Sequence, residues 1–294
     1  MPKNFSYHIL TIGFSVGLSL LVSTRVAQAQ QYVTNAPTQA DMYCAGVVND
    51  KPVPNDTYVI SGEDSQFRTT FQQGQLIYIN RGGEQGVRIG DQFEVVRPVS
   101  DMMAVNVWFK YEAMLTRAMG TRYADIGQLR VVHVEAKTST VEMTYGCNLV
   151  QRGDIVRPFV ARPIPQFRAA KLDPFAAPSG KKTAMVVSAK DYTVQSGPGG
   201  IVYVNLGSGQ GVRVGDYFRM FRYQGTRIEK IFLEPGTAYK AYGFGSTPVA
   251  YQWDNLPRQI VGEGIVVRTG VNSSSVLVTT VRGDMFIGDY VELE

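Results

Sequence analysis

A gapless internal repeat constrains this chain more than any other feature. Residues Gly74–Arg97 read GQLIYINRGGEQGVRIGDQFEVVR, residues Gly199–Arg222 read GGIVYVNLGSGQGVRVGDYFRMFR, and about half the positions are identical. Solenoid and propeller units recur every 20–50 residues or so, and this spacing is far longer, which predicts two duplicated domains. The shared residues are Gly, Asn, Asp and alternating apolar positions. Such residues build turns and strands and seldom carry out reactions.

Within the first copy, Leu76-Ile77-Tyr78-Ile79 is an apolar, β-branched and aromatic run that predicts a strand. Asn80–Gly86 follows as a turn cluster, then Gly90-Asp91 as a second turn, because Gly and Asn tolerate positive φ. Phe93 and Val95 then share one face of the next strand. The second copy repeats the scheme with Tyr203, Asn205, Gly207, Gly211, Gly215, Asp216 and Phe218. Farther along, Gly127–Val134 matches Gly262–Thr269, and Gly153-Asp154-Ile155-Val156 matches Gly288-Asp289-Tyr290-Val291. Five or six short strands with Gly turns predict a small antiparallel barrel, since closure removes sheet edges. The expected fold class is mainly β: two tandem SH3-like barrels built on Gly-Asp turns, with one short helix in the first. That helix is expected within Met102–Met119, which is amphipathic. Its counterpart, Gln224–Gln259, reads as an ordered loop or extra hairpin.

Domain boundaries follow from composition. Met1–Ala29 has a basic Lys3, an apolar run from Ile9 to Val22 and an Ala27-Gln28-Ala29 site, the layout of a secretory leader cut after Ala29. Residues 30–41 are polar and expected to be disordered. The first barrel spans 42–159, a Pro-rich linker spans 160–182 and the second barrel spans 183–294. The linker carries Pro163, Pro165, Pro174 and Pro178. Export places the mature protein in the periplasm, outer envelope or extracellular space, with no membrane span after cleavage.

The chain has 29 Lys and Arg against 25 Asp and Glu, and Lys3 and Arg25 fall in the leader. The remaining excess of about two positive charges argues against nucleic acid as a partner. Cys44 and Cys147 bracket the first repeat, and in an exported protein such a pair reads as a disulfide.

Reactive constellations are scarce. His133 is the only histidine past the leader, and it sits in a predicted strand where a polar-face role is expected. Metal, cofactor and catalytic residues are all read as none. Gly90-Asp91, Gly153-Asp154, Gly215-Asp216 and Gly288-Asp289 suggest paired acids or Ca²⁺ ligands at first sight. Four recurrences at one structural place favour structural turns, each carboxylate accepting a local N–H. Tyr239, Tyr242, Phe244, Tyr251 and Trp253 form the candidate interaction surface, suited to proteins or sugar rings.

The string Val-Tyr-Val-Asn-Leu-Gly-x-x-Gln-Gly-Val-x-Val-Gly-Asp-x-Phe at 202–218, followed by Gly-Asp-x-Val at 288–291, resembles the C-terminal β-barrel domain of bacterial flagellar assembly protein T. The likeness applies to each repeat separately. It implies a bacterial, non-enzymatic module of the cell envelope. The expected function is therefore an exported structural or interaction module that contacts partner proteins of an envelope assembly. The alternative is a peptidoglycan- or polysaccharide-binding module that uses the aromatic loop.

Overall fold

The computed structural model describes residues 34–99, 110–169, 172–223 and 256–294. Lobe 1 runs through α1 (Gln39–Cys44), β1 (Val47–Asn49), β2 (Val59–Gly62), β3 (Thr70–Phe71), β4 (Leu76–Ile79), β5 (Gln92–Pro98), α2 (Lys110–Met119), β6 (Thr121–Val134), β7 (Ser139–Gly146), β8 (Val150–Gln151) and β9 (Ile155–Pro158). Lobe 2 comprises β10 (Thr183–Ala189), β11 (Gln195–Ser196), β12 (Ile201–Val204), β13 (Tyr217–Arg222), β14 (Gln259–Thr269), β15 (Ser274–Val281), β16 (Met285–Phe286) and β17 (Tyr290–Leu293). The protein is mainly β.

Strand order is β2-β4-β7-β6-β5-β9 in lobe 1, with β1 added to β6, and β10-β12-β15-β14-β13-β17 in lobe 2. The first hairpin of each lobe slips at the same place. In lobe 1 the partners jump from Val59↔Ile79 to Ser61↔Tyr78, and in lobe 2 from Val186↔Val204 to Ser188↔Tyr203.

Only lobe 2 is a closed barrel, with β10 pairing continuously to β17 from Thr183↔Glu292 to Met185↔Tyr290. The expectation of two closed barrels is corrected for lobe 1. Its outer strands meet through a single bridge, Tyr58↔Ile155, supported by Val59 N–H donating to Asp154 O at 3.0 Å. A proline accounts for part of the difference. Leu293 donates its N–H to Lys182 O at 3.1 Å, whereas Pro158, at the matching end of β9, has no N–H to give.

The lobe interiors are filled by Ile77, Ile79, Val95, Leu129 and Val141 in one and by Val202, Val204, Phe218, Val266 and Val276 in the other. Lobe 2 is also buried on its outside. Val187, Ile201, Tyr203, Ile265 and Leu277 pack against Met42 of α1, Ala45 at its C-cap and Val48 of β1, and against Met119 from α2. Strands covered on both faces read as continuous apolar runs, so the expected alternation is absent from β12 and most of β14.

The N-terminal segment departs from expectation, while the inserted helix is present and the linker can be placed. Residues 34–41, expected to be disordered, are held. Asn35 N–H donates to Thr279 O at 2.8 Å, and Thr38 caps α1 in a reciprocal box with Asp41. The inserted helix is α2, and residues 102–109 of the expected span lie outside the described residues, as do the leader and residues 224–255. The linker hugs both lobes. Arg162 pairs with Glu94 of β5, and Arg168 N–H donates to the Tyr217 hydroxyl of β13 at 2.7 Å.

Candidate functional site at the joint between the lobes

The four Gly-Asp turns are local locks. Asp91 accepts the Arg88 N–H at 2.9 Å, Asp216 the Arg213 N–H at 2.8 Å, Asp154 the Gln151 N–H at 2.7 Å and Asp289 the Phe286 N–H at 2.8 Å. Each spans three residues and leaves its glycine at positive φ, from +85° to +94°. Each of the four carboxylates is thus engaged within its own turn.

Asp154 and Asp289 have a second role. Arg97 donates from Nε and Nη2 to the two Asp154 oxygens at 2.6 and 2.7 Å, and Arg222 does the same to Asp289 at 2.9 and 2.6 Å. These forked pairs tie the end of β5 to the turn before β9, and the end of β13 to the turn before β17. Neither arginine stood out in the sequence, although both close their repeat strings at the same aligned position.

Another matched pair has its charges reversed. Glu94 lies opposite Arg157 across β5 and β9, and Arg219 lies opposite Glu292 across β13 and β17. Both form ion pairs, at 2.6 and 3.1 Å. A third residue supplements each: Arg162 pairs with Glu94, and Arg258 donates to both Glu292 oxygens at 2.9 Å. Burial pushes the Glu292 carboxyl up. The hydrogen bonds from Arg258 and Ser179 N–H, with the charges of Arg258 and Arg219, overcome this and hold it below the usual carboxylate range.

The joint between the lobes is where chemically distinct groups converge. Cys44, at the end of α1, is disulfide-bonded to Cys147 after β7, with Cα atoms 5.5 Å apart. The bond fixes the start of β1 against lobe 1, and β1 then carries the chain under lobe 2. Ser275 donates to Gly46 O and Ser273 to Val48 O, both at 2.8 Å. Gly46 has φ +69°, and a Cβ there would come within 2.6 Å of the Tyr203 hydroxyl. That hydroxyl donates to Ala45 O at 2.8 Å. Burial pushes the phenol up to about 12, so it remains a donor at neutral pH.

Charge crosses the same joint. Arg268 of β14 reaches both carboxylate oxygens of Asp125 in β6, and Asp125 also accepts the Gly46 N–H at 2.8 Å. Beside them a cleft of about 290 Å³ is lined by the disulfide, Arg122, Asp125, Lys190, Asp191 and Tyr203, among others. Arg122 comes from lobe 1, and its guanidinium lies over two lobe 2 rings, 4.0 Å from the Tyr192 centroid and 4.7 Å from that of Tyr203.

His133 is exposed and its Nε2 lies 2.9 Å from Glu135, consistent with a surface position on β6. The aromatic candidates Tyr239, Tyr242, Phe244, Tyr251 and Trp253 lie outside the described residues. Among the described residues no cluster of His, Cys, Asp and Glu is arranged to hold a metal ion, and no helix is long and apolar enough to cross a membrane. No known family model matches the chain, and no curated protein matches it significantly.

Proposed function

We propose that this protein is an exported, non-enzymatic module of a bacterial cell envelope, in which two copies of one barrel-forming unit make a stiff body that docks partner proteins. The observation that carries the reading is the use to which its carboxylates are put. Asp91, Asp154, Asp216 and Asp289 close turns, Asp154 and Asp289 anchor strands, and Asp125 bridges the lobes. Groups spent on holding the chain are not free to act as acids or bases. The matched strand orders and the matched slip of the first hairpins support duplication of one unit. The disulfide and the leader-like N-terminus support export.

A contact surface for proteins is suggested by lobe 1. Ile60 and Tyr78 are exposed at the positions where lobe 2 has Val187 and Tyr203, both buried under α1 and β1. Tyr58 adds to this exposed apolar strip. The resemblance of each repeat to the flagellar assembly protein T barrel agrees with a role in envelope assembly. The glycan-binding alternative rests on the aromatic loop within residues 224–255.

Affinity capture of the tagged full chain from envelope fractions tests the reading, run beside cosedimentation with purified cell wall. The proposal expects a defined protein partner whose capture falls when Ile60 and Tyr78 are replaced by Ser. Strong cosedimentation with cell wall and no captured protein would overturn it in favour of the glycan reading.

A further inference from the structure

The outer face of lobe 1 repeats the surface with which lobe 2 grips the α1–β1 segment. In lobe 2 the pairing sets Tyr203 of β12 opposite Ser275 of β15, and Ser275 opposite Arg268 of β14, so the three share one face. Tyr203 and Ser275 donate to the Ala45 and Gly46 carbonyls, and Ser273 donates to that of Val48. In lobe 1 the same registers set Tyr78 of β4 opposite Thr140 of β7, and Thr140 opposite His133 of β6. Thr138 precedes Thr140 as Ser273 precedes Ser275, so all three hydroxyls that hold the segment recur. The apolar flank recurs too. Ile60, Leu76 and Val132 stand where lobe 2 has Val187, Ile201 and Val267.

What differs is the cover. Tyr203, Ser273 and Ser275 are at most 1% exposed, whereas Ile60, Tyr78 and Val132 are 39%, 36% and 36% exposed. Thr138 and Thr140 are half-buried, and among the described residues no hydrogen bond engages the Tyr78, Thr138 or Thr140 hydroxyl. An ion pair between Arg130 and Glu142, at 2.7 Å, replaces the apolar pair Ile265 and Leu277. Charge at that end keeps the face soluble when empty, as a contact that forms and parts requires.

The covered copy defines the occupant. Gly46 has φ +69°, and a Cβ there would come within 2.6 Å of the Tyr203 hydroxyl, so the residue laid over the tyrosine has to be glycine. Its neighbours Ala45 and Val48 are small and apolar and turn their carbonyls to the sheet. We propose that the outer face of lobe 1 docks an extended, uncharged segment of a partner protein, with a glycine over Tyr78 and main-chain carbonyls on Tyr78, Thr138 and Thr140. This rests on the reading of lobe 1 as the partner-binding lobe, and adds the chemistry of what it binds.

The probe is a capped peptide of residues 38–49 carrying Cys44→Ser, titrated into the full, oxidised chain and followed by amide chemical shifts. Saturable shifts are expected along β4 and over residues 138–142. Tyr78→Phe and Thr140→Val each remove one hydroxyl from an exposed or half-buried side chain. Each is expected to weaken binding by about three- to tenfold, the size of one hydrogen bond. Gly46→Ala in the peptide is expected to weaken it at least as much. The proposal is overturned if no saturable shift appears at millimolar peptide, if the shifts fall on β12 and β15 instead, or if none of the three substitutions changes the affinity. Self-association of the chain that Tyr78→Phe abolishes would make a second copy the occupant and also overturn it. A partner captured through Ile60 and Tyr78 beside a silent peptide would strike this proposal and leave the wider reading standing.

Discussion

Arg268 holds both carboxylate oxygens of Asp125, at 2.6 and 2.7 Å, although 143 positions separate the two residues and they belong to different lobes. Their side chains are only 12% and 5% exposed. Breaking such a pair from one side strands a buried charge, which costs about 3–5 kcal/mol. Arg268→Ala is therefore expected to lower stability by that order in chemical denaturation. Asp125→Asn/Arg268→Gln, which removes both charges, is expected to lose less than Arg268→Ala alone; an equal or larger loss would show that charge pairing is not the source.

The forked arginines give a second prediction. Asp154 and Asp289 side chains are 3% and 0% exposed, and Arg97 and Arg222 are their charged partners. Arg97→Met and Arg222→Met should each destabilise the protein by about 3–5 kcal/mol, with the strand-closing turn of the affected lobe losing hydrogen-exchange protection first. Protection lost first at distant turns, with the local one intact, would refute the anchoring role.

Reduction of the Cys44–Cys147 bond should matter in proportion to the loop it closes. The cysteines are 103 positions apart, and the chain-entropy account gives about 4.7 kcal/mol for a loop of roughly this size. Cys44→Ser/Cys147→Ser is expected to lose about 2–5 kcal/mol. A denaturation midpoint that matches the oxidised protein would contradict a stabilising staple.

Glu263 predicts a pH dependence. Burial, then the neighbouring Glu294 carboxylate, raises its pKa to about 7, and the charges of Arg168 and Arg219 only partly oppose this. The folded state therefore binds this proton more tightly than the unfolded chain does. Its contribution is fully present below the unfolded value, about 4.3, and is lost as pH rises toward 7. Between pH 4.5 and 8 the melting temperature should fall more steeply with pH in the parent than in Glu263→Gln. Parallel profiles would rule out Glu263 as the source.

Glu94 predicts where the linker lets go. It is the shared partner of Arg157 and Arg162, so Glu94→Gln leaves two guanidinium groups facing each other. Limited trypsin digestion should then cut after Arg168, which is followed by Ala169, several-fold faster than in the parent. Unchanged cleavage there would mean that Glu94 does not dock the linker.

What the sequence disclosed was local. The Gly-Asp locks span three residues, and the same logic places Gln85 and Gln210, whose side chains accept Gly82 and Gly207 N–H at 2.8 Å. Asn80 and Asn205 stood out as turn residues but act at longer range, accepting from Tyr58 N–H at 2.6 Å and Met185 N–H at 2.8 Å to seat the first strand of each sheet. The open edge of lobe 1 was hidden because it depends in part on Pro158, two residues beyond the matched Gly-Asp motif. The joint was hidden more deeply. Asp125 and Arg268 lie on the matched strands β6 and β14, but the repeat aligns Arg268 with His133 and leaves Asp125 outside the matched stretch, and the outward burial of Tyr203 depends on a segment about 160 positions earlier in the chain.

One rigid body, not two tethered barrels, is what the stapled α1–β1 segment and the ion pair across the lobes amount to. Differential scanning calorimetry of the oxidised full chain measures this directly. A single endotherm is predicted, with calorimetric and van't Hoff enthalpies equal. Two resolved transitions, one for each lobe, would contradict it.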